Sequence, residues 1–320
     1  MERSPVGAEA KAEFKELQER DPSIPLFLQP DWMETLHEKD NEWGVVLSGR
    51  KGDIKGFLPF SIRYRAGLRL IGMPYLTPYM GPWLYFPEKG GRDYEMRTMR
   101  ELIEGLPSFH EFDQKFHPAV KNWFPFYTQA FRQSTLYTNI LPVPSQKDIR
   151  SVYTPEFRNH LKKLEESTRI VQEEDIHPLL QLHEKEQQKR RIPELVDQET
   201  LAGIDELLAS RKDRRILYAY DDQGDLLGGV YLARDEHSVY YLMGSSDPER
   251  RALNPIGRLL HEGYEWASGR GLPFDLAGSM IPSIERAYRR MGSEPLPHHR
   301  VWQRKGMIIK SLRFLQGKKR

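Results

Sequence analysis

The sequence predicts an α/β (α+β) fold made of two tandem mixed sheets, each flanked by helices. Three observations support this prediction: the length of 320 residues, a hairpin pattern that occurs twice, and the same order of elements in both halves. A chain of this length suits two ordinary domains better than one large domain. We therefore divide it into an N-terminal domain, residues 1–150, and a C-terminal domain, residues 151–320.

The composition is typical of a globular protein. Hydrophobic residues make up 38% of the chain and charged residues 29%. The 48 basic and 46 acidic residues leave a net charge of +2, which gives no general attraction to nucleic acid, so we predict no DNA partner. The sequence has no cysteine, no apolar signal-peptide core and no run of 18 apolar residues, and we expect a cytoplasmic protein.

The hairpin pattern recurs after 172 residues. In each copy a glycine and an aspartate lie between two runs rich in β-branched and aromatic residues, and another glycine follows. Glycine accepts the positive φ that tight hairpins require. The matching pairs are Gly52 and Gly224, Asp53 and Asp225, and Gly56 and Gly228.

Two further similarities extend the pattern. Met80-Gly81 recurs as Met243-Gly244, and Gly105-Leu106-Pro107 recurs as Gly271-Leu272-Pro273. Both halves then have the order helix, hairpin, strand, helix, strand, which favours an internal duplication. Coincidence is the alternative, since Gly-Asp turns are common.

A crossover helix is predicted between Arg250 and Gly271. Pro255 suits its first turn and Gly271 suits its end. Its apolar residues follow the i, i+3, i+4 spacing of one buried face. They are Ile256, Leu259, Leu260, Gly263, Tyr264 and Ala267.

An ordered series of segments resembles the Fem-type peptidoglycan aminoacyltransferases and their acetyltransferase relatives in the GNAT superfamily. The second half contributes a tyrosine-rich strand, a helix and a second strand, preceded by a basic helix, and the first half contributes its opening segment. The segments are Tyr240–Ser246, Asn254-Pro255, Phe274–Ser279, Phe157–Lys163 and Phe27–Trp32. The resemblance implies two tandem GNAT-like domains that transfer an acyl group to an amine, from acyl-CoA or from an aminoacyl-tRNA.

The resemblance also implies a donor site in the second half. The strand Tyr240–Gly244 would hold the arm of acetyl-CoA or another acyl-CoA, and the loop Asp247–Arg258 would offer positive charge and helix N–H groups to its pyrophosphate. Relatives carry two glycines in this loop, whereas this sequence keeps only Gly257. A solvated helix start is the alternative for the arginines. The cofactor-binding candidates are Tyr241, Met243, Arg250, Arg251, Asn254, Gly257 and Arg258.

Two residues are catalytic candidates through the same resemblance. Fem-type enzymes have a lysine where this chain has Tyr288, and acetyltransferases often have a tyrosine there that protonates the leaving thiolate. Asp275 follows Phe274 near the expected meeting point of the substrates and would accept a proton from the amine. The alternatives are a packed core tyrosine and an aspartate that caps a turn or pairs with an arginine.

The first half is expected to be degenerate and to lie on the acceptor side. Its aromatic stretch 74–86 suits either an acceptor pocket or a core strand. The C-terminal run 304–320 has seven basic residues and no acidic one, which suits peripheral membrane contact or docking on its own domain.

The predicted function is N-acyl transfer from acyl-CoA to an amino sugar, amino acid or cell-envelope precursor. The scattered histidines lack metal-ligand spacing, so we predict no metal. One alternative is an aminoacyl-tRNA-dependent transferase that extends a peptidoglycan peptide, with tRNA as a partner only in that case. The other is a catalytically silent GNAT-fold binding module.

Overall fold

A computed structural model describes residues 7–36, 41–86, 91–144, 148–190, 198–250, 255–278 and 280–306. By contacts the chain divides into two units: unit 1 is residues 1–136 and 297–320, and unit 2 is residues 137–296. The contact units differ from our division at residue 150 because the last described strand lies with unit 1. That division, and the internal duplication behind it, stay predictions.

Both units contain helices and strands. The described helices are α1 (Ala8–Arg20), α2 (Pro30–Thr35), α3 (Arg92–Glu104), α4 (Phe124–Thr128), α5 (Pro155–Ser167), α6 (His177–Arg190), α7 (Gln198–Ser210), α8 (Ile256–Ser268) and α9 (Pro282–Arg290), with short 3-10 turns at Leu26–Leu28 and Ile149–Val152. The described strands are β1 (Asn41–Arg50), β2 (Asp53–Arg65), β3 (Leu68–Gly72), β4 (Trp83–Leu84), β5 (Glu111–Lys115), β6 (Arg132–Leu141), β7 (Arg169–Glu173), β8 (Arg214–Tyr220), β9 (Leu226–Arg234), β10 (Val239–Ser246), β11 (Phe274–Asp275) and β12 (Glu294–Arg304).

The sheet of unit 1 has the strand order β1–β2–β3–β5–β12, with β4 paired to β2. Strands β3 and β5 are parallel, whereas β12 runs antiparallel to β5. The C-terminal strand therefore completes the sheet of the first half. Buried apolar side chains of the sheet and of α3 and α4 form one core cluster, which includes Leu58, Met99, Leu102, Phe112 and Phe126.

The sheet of unit 2 has the order β7–β8–β9–β10–β11–β6. Strands β10 and β11 are parallel, and the other neighbours described are antiparallel. The predicted buried face of α8 is confirmed, since Leu259, Leu260, Tyr264 and Ala267 are at most 2% exposed. Full burial of a leucine contributes about 1.5–3 kcal/mol, so this face is a main source of stability in unit 2.

Both predicted hairpins are present. Strands β1 and β2 pair around Gly52, and β8 and β9 pair around Gly224. The two turn glycines have φ values of 82° and 86°, in the left-handed region where a Cβ is strained. The prediction of mixed sheets flanked by helices is confirmed. No described helix is long and apolar enough to cross a membrane.

Candidate active site

The candidate site lies where β10 and β11 part. These parallel strands pair only through Val239 with Phe274 and Tyr240 with Asp275. Beyond that point β10 continues along β9 to Ser246, with a register shift between Tyr241 and Met243. A bulge of this kind bends a strand and frees a residue from the ladder. The backbone of β10 after Tyr240 therefore borders a gap in the ladder with β11.

Asp275 is the last residue of β11 that pairs with β10, so it lies at the edge of this gap. Its side chain is 3% exposed. Its Oδ1 accepts hydrogen bonds from the Thr138 hydroxyl at 2.6 Å and from the Ala277 backbone N–H at 2.8 Å. Ala277 and Gly278 follow with φ values of 51° and 58°, so the chain turns away from β10 directly after the carboxylate.

Tyr288 of α9 is the second catalytic candidate, and the structure brings it close to Asp275. It is 8% exposed and lies in the core cluster of unit 2. Burial, and then the charge of Asp275, raises the pKa of Tyr288 to about 12. The phenol is thus protonated at neutral pH, as a proton donor must be.

Tyr241 of β10 belongs to the same group of side chains. Burial raises the pKa of Tyr241, and Tyr288 and Glu186 of α6 add to the shift. Its ring lies against Gly244, where a Cβ would come within 2.3 Å of the Tyr241 hydroxyl oxygen. Met243, the next candidate along β10, is partly buried opposite Tyr231. Three of the predicted residues, Tyr241, Asp275 and Tyr288, are therefore neighbours.

Helix α6 is attached to β10 by a histidine. The Gln187 amide donates to His183 Nε2 at 3.0 Å, so the proton lies on His183 Nδ1, 3.1 Å from Ser245 Oγ. These contacts hold the α6 side of β10. His183 is one of the scattered histidines without metal-ligand spacing, so it was not a candidate residue, and nothing in its local sequence indicates Ser245 as its partner.

A cavity of about 370 Å³ lies between α6 and the loop after β10. Its charged lining is balanced, with Lys185 and Lys189 facing Asp247 and Glu249. Lys189 Nζ also donates to the Pro248 carbonyl at 3.0 Å. The cavity therefore lies beside the predicted anion loop, and its lining carries no net positive charge.

Arg250 is bound within the β8–β9 hairpin. Its guanidinium forms ion pairs with Asp221 and Asp225. The bonds to Asp225 and Asp221 raise the pKa of Arg250. The pKa of Asp221 is lowered by hydrogen bonds from the backbone N–H groups of Asp225 and Gln223, and then by the charge of Arg250. In this arrangement the arginine closes the turn, and binding to a phosphate would require it to leave both carboxylates.

Gly257 and Arg258 begin α8 next to α5. A Cβ on Gly257 would lie 3.2 Å from the Phe157 ring, so the glycine permits close packing of the two helices. Arg258 pairs with Glu262 one turn along and lies 3.9 Å from Glu165. Its side chain is 18% exposed. Arg258 thus links α5 to the first turn of α8, the helix that follows β10.

The remaining predictions fall partly outside the described residues. Arg251 and Asn254 lie outside them, as does most of the basic C-terminal run. Within the described residues no group of three or more histidine, aspartate or glutamate side chains could hold a metal ion. The binding and catalytic roles assigned to the candidates stay predictions.

Residues 154–290 match the family model described as an acetyltransferase (GNAT) domain. None of the curated proteins matches the chain. Among solved structures, the chain is similar to FemX, with 13% identity, a TM-score of 0.65 and coverage of 91% of this chain and 94% of that chain. A tandem GNAT protein from the clavulanic acid biosynthesis pathway gives 13% identity, a TM-score of 0.53 and coverage of 95% and 98%.

A third similar structure is the C-terminal domain of a putative lysylphosphatidylglycerol synthetase from Agrobacterium fabrum. It has 11% identity, a TM-score of 0.56 and coverage of 93% of both chains. At these identities the similarity establishes the fold and nothing finer. Together with the family match it shows that the chain has a Fem-type GNAT-like fold with an acetyltransferase (GNAT) domain at residues 154–290.

Proposed function

We propose that unit 2 transfers an acyl group from acyl-CoA to an amine of an amino sugar, an amino acid or a cell-envelope precursor. The family match and the fold support acyl transfer in general. The observation that carries the proposal is the divergence of β10 from β11 after two residue pairs, with Asp275 and Tyr288 buried beside it. Cysteine nucleophiles are excluded by the sequence, so we propose direct attack by the amine.

In the proposed reaction Asp275 removes a proton from the acceptor ammonium. The amine nitrogen then attacks the thioester carbonyl, a C–N bond forms, and the C–S bond breaks. The cationic nitrogen of the adduct releases its second proton to solvent, Tyr288 donates its proton to the departing thiolate, and the amide and free CoA leave. The phenolate then regains a proton from solvent or from the protonated Asp275. Holding the two substrates together supplies much of the rate enhancement.

The donor arm fits the gap between the diverging strands. Backbone groups of β10 beyond Tyr240 do not pair with β11, so they are in position to bond the amides of a pantetheine arm. The N-terminus of α8 follows β10 in the chain and offers backbone N–H groups and a partial positive charge to the pyrophosphate. Arg251 and Arg258 are proposed to add charge to this contact.

An aminoacyl-tRNA donor is the second candidate. The similarity to FemX over most of both chains favours it, because Fem-type enzymes are aminoacyltransferases. A silent binding module is the third and predicts no turnover. The acceptor role of the first half and a cytoplasmic location are part of the proposal. For the basic C-terminal run, docking on its own domain and peripheral membrane contact are the two alternatives.

The test is a thiol-release assay with acetyl-CoA and a panel of amines: hexosamines, diamino acids and peptidoglycan peptides. The proposal predicts amine-dependent release of CoA and an N-acetyl product detected by mass spectrometry. Transfer only from charged tRNA would move the donor assignment to the second candidate. Absence of transfer from either donor would support the third candidate, the silent binding module.

A further inference from the structure

Two arginines of unit 2 contact the same tryptophan. The guanidinium carbon of Arg215, on β8, lies 4.9 Å from the centre of the Trp266 ring, and that of Arg270, just after α8, lies 5.0 Å from it. Both distances are within the range of cation–π attraction. The two guanidinium groups are therefore at most about 10 Å apart. We call these three side chains the arginine–tryptophan cluster.

The carboxylates around the arginine–tryptophan cluster bind other arginines. Glu262 acts on Arg215 only at longer range, and it forms its ion pair with Arg258. Asp213 acts on the second guanidinium group in the same way, and it pairs with Arg234 at 2.7 Å. Within the part of the chain that the structure describes, neither guanidinium group of the cluster forms an ion pair with a carboxylate.

The preceding residue of β8 shows the contrast. The side chain of Arg214 is 7% exposed and has two carboxylate partners, Asp205 at 2.6 Å and Glu174 at 2.9 Å. Arg215 is half-buried, and burial, followed by the charge of Arg270, lowers the pKa of Arg215. Two cationic groups that repel each other at a partly buried position are unfavourable without a counter-charge. A bound anion would remove this repulsion.

The chemistry of the arginine–tryptophan cluster suits a phosphate group. A guanidinium group donates two parallel N–H bonds to two oxygens of a phosphate, and it loses its hydration more easily than an ammonium group does. A phosphate monoester carries a charge of about −1.5 to −2 at neutral pH, which matches two guanidinium groups. Trp266 is 5% exposed and belongs to the core cluster of unit 2, so its ring gives the two groups a fixed support.

The arginine–tryptophan cluster lies away from the proposed pyrophosphate contact. That contact is at the first turn of α8, which begins at Ile256. Trp266 lies ten residues further along the same helix, which is about 15 Å along its axis. A phosphate held at the cluster would therefore occupy a place separate from the pyrophosphate of the donor.

We propose that Arg215 and Arg270 bind a phosphate group of a ligand other than the acyl donor, with Trp266 supporting both guanidinium groups. A soluble phosphate ester and a phosphate-bearing lipid headgroup share this chemistry. The site is independent of acyl transfer in unit 2, so it can be tested on its own.

The main test is an NMR titration of the full chain with inorganic phosphate. The indole N–H resonance of Trp266 is the readout, and Trp266→Phe assigns it. Acetyl-CoA is added beforehand to occupy the proposed donor site. We expect a saturable shift of this resonance, with an affinity that weakens as the NaCl concentration is raised because salt screens the charges.

Arg270→Gln removes one of the two charges at an exposed position. It should weaken the affinity for phosphate at least about tenfold, and Arg215→Gln should do the same. Arg289→Gln, on the exposed face of α9, is the matched control and should bind phosphate as the wild type does. No saturable shift in the wild type, or the same affinity in Arg270→Gln, would overturn the proposal. A wild type that binds phosphate and not acetyl-CoA would contradict only the proposed function.

Sedimentation with lipid vesicles separates the two sources of phosphate. Binding to phosphatidic acid vesicles that is weaker in Arg270→Gln than in Arg289→Gln, and that is absent with phosphatidylcholine, would identify a lipid headgroup. Phosphate binding without this difference in vesicle binding would identify a soluble phosphate ester.

Discussion

His261 of α8 should make the protein less stable in mild acid. Its side chain is completely buried. The Tyr153 hydroxyl is 2.9 Å from Nδ1 and the Glu265 carboxylate is 3.4 Å from Nε2. The Arg150 guanidinium donates to Nε2 at 3.5 Å, so the proton of a neutral ring lies on Nδ1 and is donated to the Tyr153 hydroxyl oxygen. Burial, followed by the charges of Arg258 and Arg150, lowers the pKa of His261 to about 3.

The sign and size of the effect follow from linkage. In the unfolded chain the histidine has a pKa of about 6.5. Below that pH the unfolded state binds a proton that the folded state excludes, so the free energy of unfolding falls as the pH falls from about 6.5 towards 3. The loss from this residue between pH 7.5 and pH 5 is about 2 kcal/mol, since it approaches about 1.4 kcal/mol per pH unit.

Urea unfolding at pH 7.5 and pH 5, followed by circular dichroism, measures this difference. His261→Gln removes the titrating group, so its pH-dependent loss should be smaller than that of the wild type by about 2 kcal/mol. Burial raises the pKa of Glu265, which opposes the effect and contributes to both proteins. His160→Gln, on the exposed face of α5, should behave as the wild type. Equal pH-dependent losses in the wild type and His261→Gln would refute the reasoning.

Three further substitutions test the site. Gly278→Ala should lower the free energy of unfolding by about 2 kcal/mol, and Gly224→Ala by about 1 kcal/mol. The difference is expected because a Cβ on Gly278 would lie 2.9 Å from the Tyr137 carbonyl oxygen, whereas a Cβ on Gly224 has no atom within 4 Å. Equal losses in urea unfolding would contradict this. Tyr288→Phe should lower kcat about a hundredfold with unchanged KM for acyl-CoA, and an unaltered kcat would remove Tyr288 from the reaction. Asp275→Asn should lower the pKa of Tyr288, because it removes a charge that raises it; NMR titration of the tyrosine ring should show an earlier onset, and an unchanged onset would disprove the coupling.

Local patterns were sufficient for much of the fold. The turn glycines Gly52 and Gly224 and the buried face of α8 are determined by backbone strain and by helical spacing, which are visible in the sequence. The match of Gly105-Leu106-Pro107 with Gly271-Leu272-Pro273 led to a wrong register. Four residues, 108–111, lie between Pro107 and Phe112, whereas Phe274 directly follows Pro273. For that reason the similarity of Phe112-Asp113 to Phe274-Asp275 was not recognised.

The site could be predicted only in part from the sequence, mainly because its contacts join distant parts of the chain. Thr138 lies 137 residues from Asp275, and no pattern around either residue indicates their hydrogen bond. The carboxylates paired with Arg250 and Arg258 were also not predicted, because a run of arginines shows charge and not its partners. The alignment of Met80-Gly81 with Met243-Gly244 failed for a related reason. In unit 1, β3 ends at Gly72 and residues 73–82 connect it to β4. In unit 2, by contrast, the corresponding strand β10 continues along β9 with a single bulge.

Binding of acyl-CoA between β10 and β11 of unit 2 can be measured by calorimetric titration with acetyl-CoA. The wild type and a variant with Arg251→Ala and Arg258→Ala are compared, and Arg289→Ala, an exposed arginine of α9, serves as the control. We predict micromolar binding, about −8 kcal/mol, in the wild type and the control, and a loss of at least about tenfold in the double variant. No binding to the wild type, or equal binding in all three proteins, would contradict the proposed acyl-CoA site.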